Sequence, residues 1–333
     1  MTPRLRGLYI LDKEPFDLIY GPDERRDIAA LVDVIAPAQT KQSILADLSL
    51  LADVEVIFSG WGAPVMDEAF LAAAPNLRAV FYGAGSVRSF VTEAVWQRGI
   101  VLTTAATANA VPVSEYTLAA ILFSLKHGWR YSRQVRDEKT FPKRDQVPGA
   151  YDSTVGLISL GLIGRLVLER LKPFDLRVLA YDPFVDVEYA RQNDVELVLL
   201  GELFRRSDVV SVHTPWLKET EGLITGAHLA SMKPGATFIN TARGAVVRES
   251  EMNEVLRQRP DLQAILDVTH PEPPAPDSPL YTLPNVILTP HIAGSLDVEC
   301  RRMGRHMVEE LRRYIDGKPL RWRVTPEAAK RRA

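Results

Sequence analysis

Short apolar runs closed by Gly, Ser or Thr recur along the first third of the chain. Gly7-Leu8-Tyr9-Ile10-Leu11, Val54-Glu55-Val56-Ile57-Phe58, Leu77-Arg78-Ala79-Val80-Phe81 and Ile100-Val101-Leu102 each read as a buried strand. Residues 23–32 and 66–73 between them carry helical spacing instead. Residues 113–125 then read as a buried helix, and 130–152 as a polar segment with no clear period. The strand–helix alternation resumes more strongly, with strands expected at 155–158, 178–181, 209–213, 236–240, 264–267 and 286–288. Helical patterns at 163–171 and 249–257 lie between these, and 299–314 reads as a closing amphipathic helix that returns to the first domain. Strands that alternate with helices of this length form parallel sheets covered on both faces. The expected fold is therefore α/β, with two doubly wound parallel-sheet domains.

At 333 residues the chain exceeds what one core usually organises, in keeping with two domains. The formal net charge of −2 and the lack of a long single-sign run argue against nucleic acid or a polybasic membrane anchor as partner. The sequence pattern offers no apolar run near the ~18 residues of a membrane span. Met1-Thr2-Pro3-Arg4 opens no secretory leader, and the basic Lys330-Arg331-Arg332 reads as a solvated end. With Cys300 the single cysteine, no internal disulfide or thiolate cluster is expected, and a cytoplasmic location fits. No His or acidic pair stands at metal-ligand spacing, so no metal is expected.

Chemistry concentrates in the second half. Ser159-Leu160-Gly161-Leu162-Ile163-Gly164 falls at its first strand-to-helix turn. In Gly-x-Gly-x-x-Gly the glycines make the turn tight, admit a pyrophosphate and let helix meet strand, while the helix N-terminus faces the phosphates. Gly161 and Gly164 fill the second and third places; Ser159 holds the first, which leaves the tightness of that turn open. Asp182, about twenty residues on, suits the ribose hydroxyls and would repel the extra phosphate of NADP, so NAD is the expected cofactor. At later strand ends come Asn240-Thr241-Ala242-Arg243-Gly244, Leu266-Asp267-Val268-Thr269-His270-Pro271-Glu272-Pro273 and Thr289-Pro290-His291-Ile292-Ala293-Gly294. Oxidising an alcohol needs a base for its proton, a task suited to His. A carboxylate beside the His stabilises the imidazolium and fixes the ring tautomer, and an Arg can grip a substrate carboxylate with two parallel hydrogen bonds.

These motifs, in this order and spacing, resemble the D-isomer-specific 2-hydroxyacid dehydrogenase family over nearly the whole chain. The resemblance implies an NAD-dependent dehydrogenase of small D-2-hydroxy acids, or reductase of 2-keto acids such as glyoxylate or hydroxypyruvate. It implies Arg243 as carboxylate and carbonyl binder, His291 as acid/base and Glu272 as its partner. His270 competes with His291 for the base, but the Pro290-His291-Ile292 setting favours the latter. The cofactor contacts implied are Gly161, Leu162, Ile163, Gly164 and Asp182, with His213, Thr214 and Pro215 on the adenosine side and Thr220 nearby. Thr241 and Ala242 would flank the nicotinamide and Asp267 would bond its carboxamide. Tyr82-Gly83-Ala84-Gly85-Ser86 matches the loop whose backbone N–H groups hold the substrate carboxylate, which makes Ala84 and Gly85 substrate contacts. Asn109 and Glu115 match the start of an interdomain helix. The implied architecture is a Rossmann NAD domain, 109–295, inserted into a flavodoxin-like substrate domain, 1–108 with 296–333, in a homodimer.

Several features depart from that pattern or qualify it. Val87-Arg88 replace an Asp-Asn common after the substrate loop, and Trp61 and Trp216 sit near strand-end loops, where packing is the expected role. His127, His228 and His306 read as packing or surface residues. Glu272 argues against the formate-oxidising relatives, which carry Gln there. Ala84 argues against the phosphite-oxidising ones, which carry Lys. The chain also ends before the regulatory domain that serine-precursor enzymes often add. A binding protein akin to the family's NAD-sensing corepressors is the alternative reading, since those keep the same Arg, Glu and His.

Overall fold

A computed structural model of the chain describes residues 4–144 and 146–331. Met1 to Pro3 and the final Arg332, on which the readings of the two ends rest in part, lie outside the described residues, as does Asp145 of the aperiodic segment. The chain forms two compact units, Met1–Asn109 with Ser295–Ala333, and Ala110–Gly294.

The first unit is built on five parallel strands: Arg6–Ile10 (β1), Asp33–Val34 (β2), Val56–Ser59 (β3), Ala79–Tyr82 (β4) and Val101–Thr104 (β5). They lie in the order β2-β1-β3-β4-β5, the flavodoxin-like winding. Gly7 is in register with Val56, and Val56 with Ala79. The two-residue period of a strand sends Leu8, Ile10, Ile57, Val80, Tyr82 and Leu102 to one face. Tyr9, Val56, Phe58, Ala79 and Phe81 go to the other, where helix Cys300–Ile315 covers them with Met303, Met307 and Leu311. With both faces covered the strands lose their polar alternation, which is why they read as continuous apolar runs. β2 escaped the sequence reading because it is two residues long and exposed.

Among the described residues the second unit holds seven parallel strands where six were expected. They are Tyr151–Ile158 (β6), Asp175–Tyr181 (β7), Val195–Leu197 (β8), Val209–Val212 (β9), Thr237–Asn240 (β10), Gln263–Leu266 (β11) and Val286–Leu288 (β12). The additional strand, β8, closes one edge of the order β12-β11-β10-β9-β6-β7-β8. Val155 of β6 pairs with Val178 of β7 on one side and Val209 of β9 on the other. The winding reverses between β6 and β9, and that switch point is where doubly wound sheets take ligands.

Two helices differ from expectation. The segment read as aperiodic contains helix Gly128–Glu138, none of whose residues is fully buried, so no apolar stripe marked it. The helix expected from residue 113 runs Ala106–Leu125, through Pro112. At 20 residues, with mean hydropathy 1.2 over an 18-residue window, it is long and apolar enough for a membrane span by length and composition, which corrects the sequence reading, and 56% of that window is buried inside the protein.

Candidate active site

Because every strand of the second sheet is parallel, the segments that follow β6, β7, β9, β10, β11 and β12 emerge at one edge. The sequence motifs occupy these segments.

Gly161 caps helix Leu162–Leu171, with no side chain bonded to the helix end. A Cβ on Gly164 would lie 2.2 Å from the Ser159 carbonyl oxygen, so this glycine permits the helix to meet the strand end. A Cβ on Gly161 would meet no protein atom within 4 Å. Packing therefore does not demand that glycine, and the space beside it is open. Ser159 adopts φ 75°, the left-handed conformation that a glycine takes without penalty. Its N–H donates to Tyr181 O at 2.8 Å and its hydroxyl pairs with that of Thr214 at 2.9 Å. Asp182 Oδ2 accepts from Leu160 N at 2.7 Å and Oδ1 from Phe184 N at 2.8 Å, which fixes the carboxylate against the loop with one lone pair per oxygen to spare.

His213 is buried, and its Nε2 lies 3.1 Å from Ser211 Oγ while Nδ1 has no partner among the described residues. Burial pushes its pKa down to about 3, so the ring is neutral. The Thr220 hydroxyl is spent on its own turn, accepting from Leu217 N at 2.8 Å and donating to Pro215 O at 2.6 Å.

The predicted Arg, Glu and His come from three adjoining loops. His291 Nδ1 and Glu272 Oε1 are 2.6 Å apart, both side chains partly open to solvent. Arg243 is half-buried on the neighbouring loop; burial lowers its pKa and Glu272 opposes that shift. The Arg loop is held by Asn240, whose Oδ1 accepts from Ala242 N and whose Nδ2 donates to Arg243 O, each at 3.0 Å. A Cβ on Gly244 would fall 2.0 Å from the Thr269 carbonyl carbon and 2.5 Å from His270 N, so only glycine lets the Arg and Glu loops touch.

Asp267 is buried and accepts from Thr289 Oγ1 at 2.7 Å, Ile292 N at 2.8 Å and Ala293 N at 2.9 Å. Three of its roughly four acceptor directions thus suspend the His291 loop, and one on Oδ2 remains. The ring of His270 turns towards Trp216, 5.2 Å between centroids, while the backbone N–H of His270 donates to Glu249. His291 is the histidine on Glu272.

Sequence reasoning missed the bracing residues. Tyr116 OH lies 2.9 Å from Thr289 Oγ1 and Thr117 Oγ1 3.1 Å from Thr241 Oγ1, tying helix Ala106–Leu125 to two of the loops. Their positions midway along an apolar helix gave no local signal. Ala84 and Gly85 belong to the first unit, at the carboxyl end of β4, where Ala84 O accepts from Ala105 N at 3.0 Å. Val87 packs in the core of that unit, and Arg88 is exposed. Of the remaining histidines, His228 stacks on Phe204 and His306 on Trp322 at 3.7 Å, while His127 is buried.

The second sheet and its strand-end loops thus define a dinucleotide-binding α/β unit carrying an Arg, Glu and His. The sequence model of the D-isomer specific 2-hydroxyacid dehydrogenase NAD binding domain matches residues 118–293. The (S)-sulfolactate dehydrogenase of Chromohalobacter salexigens is 33% identical over 304 residues, 86% of this chain and 97% of that one. The D-3-phosphoglycerate dehydrogenase of Archaeoglobus fulgidus is 36% identical over 256 residues, 77% of this chain and 49% of that enzyme. The chain spans about half the length of the curated phosphoglycerate dehydrogenases it matches. The crystal structure of apo D-mandelate dehydrogenase from Rhodotorula graminis superposes with TM-score 0.82 at 26% identity, covering 97% of this chain and 98% of that one. The chain belongs to the D-isomer-specific 2-hydroxyacid dehydrogenase family, and its second unit carries that family's NAD-binding domain.

Proposed function

We propose that the protein is an NAD-dependent oxidoreductase that interconverts a small D-2-hydroxy acid and its 2-keto acid. The observation that carries this reading is the 2.6 Å His291–Glu272 hydrogen bond beside the half-buried Arg243. NAD, when bound, supplies the hydride acceptor, and NADH the donor. With Nδ1 engaged by Glu272, His291 has Nε2 left for the substrate oxygen, giving it a proton in reduction and taking one in oxidation. Glu272 holds the ring's orientation and balances its charge. Arg243, partly stripped of water, offers a guanidinium fork to the carboxylate and the neighbouring oxygen.

The Gly161–Gly164 turn and the open end of its helix suit the dinucleotide phosphates. The spare lone pairs of Asp182 suit ribose hydroxyls. Thr214, Pro215 and the neutral, partnerless Nδ1 of His213 suit the adenosine side. Thr241 and Ala242, fixed by Asn240 and Thr117, suit the nicotinamide, and the remaining acceptor direction of Asp267 its carboxamide.

The relatives are named for phosphoglycerate, sulfolactate and mandelate, which share a 2-hydroxycarboxylate and differ beyond it. The substrate proposed is therefore that shared unit on a small chain, with glyoxylate and hydroxypyruvate joined by the keto acids of these three. The test is NADH oxidation, followed by absorbance, on a panel of those 2-keto acids together with pyruvate. Turnover of at least one above the enzyme-free rate is expected. Failure of every acid in a protein shown to bind NADH would overturn the proposal.

A further inference from the structure

Ser159 is the residue at which this chain leaves the glycine motif, and two observations there belong together. Its backbone takes φ 75°, a conformation unfavourable to any residue with a Cβ. Its hydroxyl lies 2.9 Å from that of Thr214, which links the loop after β6 to the loop after β9 across the reversal of strand order. A glycine would hold the same backbone without strain, and what the serine adds is its hydroxyl.

The proton arrangement indicates what that hydroxyl does. Two facing hydroxyls share one hydrogen bond and leave one O–H over. If Ser159 donates to Thr214, the spare O–H belongs to Thr214, and the acceptor within reach is Ile158 O at a long 3.4 Å. If Thr214 donates to Ser159, the spare O–H belongs to Ser159, at the turn that ends in the open helix start. The weak Ile158 contact makes the first arrangement easy to give up, and a phosphate favours the second, because hydrogen bonds to ionised acceptors are the stronger kind. We propose that Ser159, aimed by Thr214, is a phosphate-binding residue of the dinucleotide site, its hydroxyl replacing the turn tightness that the usual first glycine provides. The inference rests on the NAD-binding reading of this unit.

Equilibrium binding and thermal melting of the purified protein test it, with NADH, ADP-ribose and adenosine as probes and no turnover required. Ser159→Ala and Ser159→Gly both delete the hydroxyl, and only the second relieves the backbone. Both are expected to bind NADH and ADP-ribose about tenfold more weakly, the value of one hydrogen bond to a charged group, with adenosine unchanged. Ser159→Gly is expected to melt a few degrees above Ser159→Ala. Thr214→Val is expected to weaken NADH similarly, and Ser159→Ala on that background to cost much less than alone. If Ser159→Gly keeps native NADH affinity, or adenosine weakens in parallel with ADP-ribose, the residue only shapes the turn and the proposal fails. Loss of NADH binding by the unsubstituted protein would instead defeat the NAD-binding reading itself.

Discussion

Gly244→Ala changes one hydrogen into a methyl on the residue that follows Arg243. The new carbon would lie 2.0 Å from Thr269 C, 2.2 Å from Thr269 O and 2.5 Å from His270 N, where ordinary contact begins at 3.4 Å. All three obstacles are backbone, so no rotamer change relieves them. The two loops must part by roughly 1 Å or more, and one carries Arg243 while the other leads directly into Glu272. Misplacement of reacting groups by about 1 Å can cost on the order of 10²-fold in rate. Overpacking a well-filled site costs about 1–3 kcal/mol of stability, or a fall of several degrees in Tm. Gly244→Ala should therefore lose about 100-fold in kcat/KM on the best keto acid of the panel. ADP-ribose, which needs neither Arg243 nor Glu272, should bind with native affinity. A folded Gly244→Ala protein within threefold of native kcat/KM would show that the loop contact does not set the geometry of the centre.

The other expectations are more direct. His291→Ala should lower kcat by roughly 10²–10⁴-fold with NADH binding nearly intact, whereas His270→Ala should lower it little; the reverse ranking in steady-state kinetics would reassign the base. Asp182→Ala should narrow the preference for NADH over NADPH, measured as a ratio of kcat/KM, and equal use of the two by the native protein would refute the assignment. Burial depresses the folded-state pKa of His213 from 6.5 to about 3, so the unfolded chain takes up its proton first as pH falls. The stability involved is complete above pH 6.5 and drains away towards pH 3, at about 1.4 kcal/mol per pH unit. Denaturant midpoints of His213→Gln should fall less steeply across that window, and identical slopes would sink the idea.

How much of this the sequence revealed follows from the range of the forces involved. Buried parallel strands declare themselves as apolar runs, and ten of the twelve strands were visible that way. β2 and β8 were not, because an edge strand of two or three residues is fixed by its neighbour's backbone rather than by its own side chains. Helix Gly128–Glu138 lacked a buried stripe, and Pro112 concealed the first turns of helix Ala106–Leu125. Arg243, Glu272 and His291 were legible because their residue types at successive strand ends suit one chemistry. Which histidine meets Glu272 was legible only from the Pro290-His291-Ile292 setting, since His270 is nearer in sequence. The contact of the His270 ring with Trp216, between the loops after β9 and β11, leaves no local trace.

The same long-range logic explains why the centre can be rigid although it is made of loops. His291 itself sits at φ 54°, a left-handed conformation that costs a non-glycine residue free energy and persists only when its surroundings over-determine it. Those surroundings are Asp267, which takes His291 N on its backbone oxygen at 3.0 Å and three further donors of the same loop on its carboxylate. Asp267 N in turn donates to Asn240 O at 3.0 Å, and Asn240 carries the Arg243 loop on its amide. One buried carboxylate and one amide, at the ends of adjacent strands, therefore position the His291 and Arg243 loops. Neither need touch substrate for its loss to disable the site.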